Sequence, residues 1–388
     1  MSAMLPGAVI GVIGGGQLGR MLILAGRNLG YRFVVLDPEP NCPAAGVADE
    51  HLCAAYTDTE ALQRLVEQSD VVTYEFEGLP VESVRWVESR KLVRPSSDVL
   101  SICQNRYREK TFLRDHDLPH VPFEVVRSGE ALRDALDRLG TPSVLKTAYF
   151  GYDGKGQIKI EDAGKDPHHI FSELGVPLAI VEQWVSHRAE CSVMVSRTPD
   201  GQTSVFPVAE NEHRHHILDR TMVPARLPDT VQKRAAELAM RIAQILQLEG
   251  TLGVEFFVTD ADELIINELA PRPHNSGHFT MDACITSQFE QTVRAVCNLP
   301  LGDTTLKHPV VMLNLMGNLW SEDAAPDWQT LLNAFPSVKL HLYGKQHARK
   351  GRKMGHLHCS GETLQQAIAQ SQEVKALLMK RPAASCSV

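Results

Sequence analysis

The chain has no CxxC pair and no regular cysteine spacing, although its 388 residues include eight cysteines. That excludes a disulfide framework and points to a reduced, cytoplasmic chain with mostly buried thiols. It has no excess of basic residues. Net charge is −8 and no long basic run occurs, so neither nucleic acid nor an anionic membrane surface is an expected partner. No apolar stretch approaches the roughly 20 residues of a membrane helix. The opening MSAMLPGAVIGVIGGG lacks the basic start and small-residue cleavage site of a signal peptide. There is no internal repeat, no low-complexity segment and no GxxxxGK[ST] phosphate loop. What remains is ordinary globular composition, 43% hydrophobic and 22% charged, in a chain long enough for two or three domains. RPAASCSV closes it as a loose tail.

The most informative stretch is Gly253 to His278. Apolar runs at 254–258 and 264–269 flank a turn-forming segment, which predicts a β-hairpin. If Val258 pairs with Ile265, Glu255 falls opposite Glu268. Carboxylates at cross-strand separation, roughly 4.5–5.5 Å between Cβ atoms, repel each other. A cation between them, or a proton on one, resolves that conflict, and two carboxylates beside phosphates suit Mg²⁺. The other reading is that one of the two glutamates points to solvent.

At the start, a strand over 8–13 runs into Gly14-Gly15-Gly16-Gln17-Leu18-Gly19, then a helix and a second strand ending at Asp37. This βαβ unit matches GxGxxG with a following acid, the pattern of a dinucleotide site. Tight strand-to-helix turns also favour glycine for their own sake, and their amides suit any phosphate or other anion. The strand over 70–74 ends at Glu75, at the carboxyl edge where open α/β sheets bind ligands.

In the middle, a helix over 105–116 carries Arg106 and Lys110, and a strand ends at Lys146. The following loop, Gly151-Tyr152-Asp153-Gly154-Lys155-Gly156-Gln157, is either a plain hairpin tip or a cover for phosphates. A strand over 178–181 leads into Glu182-Gln183-Trp184-Val185, whose backbone edge with Glu190 beyond could read an adenine and a ribose. His213, His215 and His216 fall in a segment read as a solvated loop, a nucleotide contact or a transition-metal site. No further ligand stands at zinc-like spacing from them.

In this order, Lys146, GYDGKGQ at 151–157, EQWV at 182–185, ENEHRHHIL at 210–218, GVEFF at 253–257 and NELAPRPHNSGH at 267–278 resemble the ATP-grasp ligases. Within them the chain is most similar to the N5-carboxyaminoimidazole ribonucleotide synthetase family of purine biosynthesis. GGGQLGRML at 14–22 and GRKMGHLH at 351–358 resemble that family's two ends, so the likeness runs from about residue 8 to 360. The resemblance implies an α/β chain, α+β in its ATP-grasp part. A Rossmann-like domain (1–104) would precede a lid (105–187) and a C-terminal domain with a loose tail (188–388), with ATP between the last two.

It also implies roles. Arg106, Lys146 and the loop Gly151, Tyr152, Asp153, Gly154, Lys155, Gly156 and Gln157 would meet the ATP phosphates or adenine. Glu182, Gln183, Trp184 and Val185 would hold the adenine edge, Glu190 the ribose and His213 the nucleotide. Glu255 and Glu268 would hold Mg²⁺ beside Asn267. Gln17, Leu18, Glu75, Tyr152, Lys155, His274, Asn275, Ser276, Lys345 and Arg352 would surround aminoimidazole ribonucleotide and bicarbonate, with the Gly14–Gly19 turn on the ribonucleotide's phosphate or ribose. Asp153, Arg272 and Lys353 would act on the reacting groups, although Asp153 beside glycines also reads as a turn residue. A homodimer is implied as well. The chain departs from the family where Tyr149-Phe150 enters the loop, and where Lys155 keeps the charge of a frequent arginine without its planar fork. The competing readings are another ATP-grasp ligase, such as a formate-dependent glycinamide ribonucleotide transformylase relative, and an NAD-dependent oxidoreductase.

Overall fold

The strand Val9–Ile13 is apolar and almost fully buried, the signature of a strand covered on both faces. It forms the centre of a parallel four-stranded sheet, between Arg32–Leu36 and Val71–Tyr74, with Glu50–Leu52 outermost. The computed structural model describes residues 2–149, 156–162, 164–320 and 325–379. Helix Gln17–Asn28 packs on this sheet through Leu18, Met21, Leu22 and Ile23. It begins at Gln17, directly after Gly16, which serves as its N-cap. Val93 adds a single parallel bridge to Val72 at the other edge.

Helices Ser97–Cys103 and Arg106–Asp115 follow, capped by the side chains of Ser96 and Asn105. A second, antiparallel sheet has the order Phe123–Val126, Ala179–Gln183, Ser143–Thr147, Gln157–Ile160. Helices Gly129–Leu139 and Pro167–Leu174 close its apolar face.

The third sheet has nine strands. Its path runs Leu264–Ala270, Gly250–Val258, Ala189–Arg197, Ala209–Arg214, Ile217–Val223, Val310–Met316, Lys353–Ser360, Lys339–Leu342, with Thr203–Val205 paired to Ala189–Arg197. Helix Asp229–Ile245 buries Ala235, Leu238, Ala239 and Ile242 against it, at the 3–4 residue spacing of one helical face. The segment around His213 is a strand, not a loop. Only His215 and His216 turn, both at positive φ (51° and 63°), as a two-residue hairpin connection demands.

Candidate active site

A cleft of about 860 Å³ opens between the second and third sheets. Its floor is the hairpin of Gly250–Val258 and Leu264–Ala270. Glu255 does pair with Glu268, but by a different register from the one expected. Val258 pairs with Leu264 and Phe256 with Ile266, which in a regular ladder sets Glu255 against Asn267. One extra residue, Asn267, restores the Glu255–Glu268 pair. Such a bulge turns successive side chains to one side, and both Asn267 and Glu268 line the cleft. Lys110, 1% exposed, anchors the bulge by donating from Nζ to the Asn267 carbonyl at 2.7 Å. Burial and then Glu268 push the Glu255 carboxyl up. The surrounding protein and then Glu77 push up Glu268, which reaches into the open cleft. Two opposed carboxylates that resist ionising together are a fitting donor set for a hard divalent cation.

The opposite wall comes from the second sheet. Lys146 Nζ donates to Glu182 Oε2 at 2.6 Å. Burial raises the Glu182 carboxyl, but Lys146 and Lys110 reverse this and leave it below the ordinary range. The strand Ala179–Gln183 is flanked on both sides, so it is not the sheet edge expected for adenine. The Gln183 and Trp184 amides are already spent on the carbonyls of Pro122 and Pro142, both at 3.0 Å. Trp184 remains exposed beneath Lys159, whose Nζ sits 4.2 Å from its ring. Arg106 donates to the Thr147 carbonyl at 2.9 Å. Glu190 lies 3.0 Å from His213 Nδ1 and 3.4 Å from His187 Nε2. Burial raises its carboxyl, and the two imidazoles overcome this and hold it at about 2. His187 itself stacks on Phe257 at 4.5 Å.

The glycine turn works differently from expectation. Its amides bind the protein's own carboxylates: Gly16 and Gly19 donate to Glu75 at 2.6 and 2.8 Å, and Gly15 donates to Asp37 at 2.7 Å. Asp37 also accepts from Tyr56 Oη at 2.7 Å, so it is committed inside the fold. Glycine is required at Gly14, where φ is +101° and a Cβ would fall 2.6 Å from Glu75 Cγ. Arg272 closes a two-pronged fork on Glu77, with Nη2 donating to Oε1 at 2.6 Å. Lys345 donates to the Lys353 carbonyl at 2.9 Å, and burial followed by Arg352 lowers its ammonium to about 8. Arg352 Nη1 donates to the His347 carbonyl at 2.8 Å.

A directional chain of buried polar groups ends on the acidic pair. Thr221 donates to Asn211, Asn211 to Ser192 and Ser192 to Ser276, at 2.9, 2.9 and 2.7 Å. The Ser276 proton is therefore free for His274 Nδ1, 2.8 Å away. That leaves the Nε2 proton facing Glu255 Oε1 at 3.3 Å. Burial and then Arg272 keep His274 well below the usual imidazole range, hence neutral. Both carboxamide atoms of the neighbouring Asn275 are buried without a partner among the described residues.

Of the expected site residues, Arg106, Lys146, Gln157, Glu182 to Val185, Glu190, His213, Glu255, Asn267, Glu268, Arg272, His274, Asn275 and Lys353 all line this one cleft. Gln17, Leu18, Glu75, Gly156, Ser276, Lys345 and Arg352 do not line it. Gly151, Tyr152, Asp153, Gly154 and Lys155 lie outside the described residues. Sequence reasoning missed Glu77, Glu109, His187 and the Thr221–Ser192 relay, and saw Lys110 without a role. Only Glu77 carried a signal, as a second acid beyond the strand that ends before Glu75.

Three family models match along the chain: a ribonucleotide synthetase preATP-grasp domain over residues 8–104, an ATP-grasp domain over 111–289, and a phosphoribosylaminoimidazole carboxylase C-terminal domain over 310–370. The N5-carboxyaminoimidazole ribonucleotide synthase of Bacillus subtilis is 45% identical over 356 residues, 91% of each chain. That of Brucella melitensis is 42% identical over 353 residues, 91% of this chain and 96% of its own. Among solved structures, an ADP complex of N5-carboxyaminoimidazole ribonucleotide synthetase superposes with a TM-score of 0.89 at 44% identity, covering 96% of this chain and 97% of its own. The Aspergillus clavatus synthase bound to ADP and 5-aminoimidazole ribonucleotide superposes at 0.86 and 30% identity, covering 96% and 98%. With identity of this order over nine-tenths of its length and a matching fold throughout, the chain belongs to the N5-carboxyaminoimidazole ribonucleotide synthase family of ATP-grasp ligases.

Proposed function

We propose that the protein carboxylates the amine of 5-aminoimidazole ribonucleotide, using ATP and bicarbonate and releasing ADP and phosphate. The observation that carries this is the Glu255–Glu268 pair, set by the Asn267 bulge at the floor of a cleft whose other wall is Lys146 and Glu182. Glu255 and Glu268 would hold Mg²⁺, which when bound offsets phosphate charge. Lys146 and Arg106 supply further positive charge near the phosphates, since phosphoryl transfer is mostly positioning and electrostatics. Bicarbonate attacks the γ-phosphorus to give carboxyphosphate, which breaks down to CO₂ for attack by the amine. Arg272, oriented by Glu77, and Lys353 stabilise the anionic intermediate. Neutral His274 donates from Nε2, and Asn275 offers an unsatisfied amide to the ribonucleotide. Asp153 positions the amine or takes its proton, and the 151–157 loop excludes water that would waste the intermediate.

Glu75 supports the turn, where its carboxylate substitutes for an external anion at Gly16 and Gly19, and through the turn it serves the ribonucleotide side of the proposal. Lys345 and Arg352 belong to the ribonucleotide side of the same proposal. So do the cytoplasm as compartment, with seven unpaired thiols among the described residues, and a homodimer as assembly. No helix among the described residues is long and apolar enough to cross a membrane. The test is substrate dependence. ATP consumption should require both bicarbonate and the aminoimidazole ribonucleotide; equal turnover with formate and glycinamide ribonucleotide would move the protein to a sister ligase.

A further inference from the structure

His356 and His358 stand two residues apart on the strand Lys353–Ser360, so both rings face the same side of the sheet. His341, on the outermost strand, pairs directly with His356. The register thus gathers three imidazoles, with ring centroids 4.6, 4.8 and 5.2 Å apart. One ligand nitrogen from each lies within 4.8 Å of the others. None of the three lines the nucleotide cleft.

The hydrogen bonding points the same way. Asp282 Oδ2 meets His341 Nε2 at 2.8 Å and His358 Nδ1 at 2.5 Å, and Tyr343 Oη meets His356 Nδ1 at 2.9 Å. His356 and His358 are fully buried, and the Nε2 of each has no hydrogen-bond partner among the described residues. A buried polar atom left without a partner is costly, so two in one cluster ask for an occupant. A carboxylate behind paired imidazoles is how metal-ligating histidines are oriented.

We propose that His341, His356 and His358 form a binding site for a zinc-class divalent transition metal ion, with Asp282 orienting two of the rings. Zinc–nitrogen bonds of about 2.0–2.1 Å place tetrahedral ligands about 3.4 Å apart, so the nitrogens need draw together by about 1.4 Å at most. Imidazoles select such an ion over Mg²⁺, which takes oxygen ligands, so the two sites sort their metals by ligand type. Asp282 sits on Thr280–Ala283, just after the cleft-lining His274–Asn275. The ion therefore ties the outer edge of the large sheet to the loop that carries those residues.

The test uses untagged full-length protein, stripped by chelator and titrated with Co²⁺ in excess Mg²⁺. One equivalent should bind with the visible absorption of a tetrahedral nitrogen site, and Zn²⁺ should displace it. His341 is a quarter exposed on an edge strand, so His341→Ala leaves the core intact and should abolish the band. Asp282→Asn should weaken binding about 10–100-fold. Glu268→Gln should leave the cobalt band and its affinity unchanged. Water alone in the cluster, seen as less than half an equivalent bound, overturns the proposal. So does undiminished affinity in His341→Ala, or loss of the band in Glu268→Gln.

Discussion

Lys110→Met tests whether the Asn267 bulge is held from behind. The substitution removes the ammonium that donates to the Asn267 carbonyl at 2.7 Å and stands 3.6 Å from Glu109, itself 3% exposed. At an effective dielectric of ~20, a pair at that distance attracts by roughly 4–5 kcal/mol before desolvation is counted. Burial raises the Glu109 carboxyl, Lys110 opposes this, and the result is about 7. A raised carboxyl contributes stability below its unfolded pKa of about 4.3, and that contribution is lost as pH rises through 7. Without Lys110 the folded pKa climbs further, so the loss continues into the alkaline range. At pH 6 Glu109 is protonated in both proteins, and the variant should lose only the charge-assisted hydrogen bond, about 1.5–3 kcal/mol. At pH 8 the carboxylate has lost its nearest cation. Each further pH unit can then add up to about 1.4 kcal/mol, towards the roughly 3–5 kcal/mol of a broken buried pair. Urea midpoints of both proteins at the two pH values measure this, and the Mg²⁺ concentration for half-maximal ATP turnover should be higher in the variant. A stability difference that is flat with pH, or larger at pH 6, would refute the reasoning.

Glu268→Gln should keep the fold, by circular dichroism, and lose ATP turnover by about 10²-fold or more, as for removal of one preorganised electrostatic group. Because burial and Glu268 raise Glu255, and the surrounding protein and Glu77 raise Glu268, Mg²⁺ must displace protons. The Mg²⁺ concentration for half-maximal rate should therefore rise as pH falls below neutrality, and a pH-independent value counts against the metal pair. Asp153→Ala should cut turnover far more than ATP affinity, read by steady-state kinetics beside nucleotide titration; normal turnover removes Asp153 from the mechanism. Ser192→Ala interrupts the relay to His274 and strands buried groups on both sides, costing about 1–3 kcal/mol of stability. Its turnover should fall with the ATP KM unchanged, whereas unchanged kinetics would make the relay purely structural.

Local chemistry was legible where one residue's preference decided the outcome. The helix expected over 105–116 is present as Arg106–Asp115, with Asn105 just outside it as the side-chain cap. The acidic hairpin was legible as a pair, but not its route. Alternation cannot reveal a bulge, because the extra residue is fixed by a lysine 157 positions away in the chain. The His213 segment carries no strand signal because charged and polar residues hide a strand whose burial comes from its neighbours. The glycine turn matched a dinucleotide pattern, yet its amides serve Glu75 and Asp37, contacts that only the folded sheet creates. The Arg272–Glu77 fork joins positions 195 apart, beyond any spacing rule. The family resemblance located the cleft residues, and the fold explains why they converge there.

The most direct measurement is the mass of the product formed from ATP, aminoimidazole ribonucleotide and ¹³C-labelled bicarbonate. The expected result is a ribonucleotide heavier by one labelled carboxyl group, formed one-for-one with ADP. ADP released with no labelled carbon on the ribonucleotide, when the reaction is quenched under alkaline conditions that preserve carbamates, would contradict it.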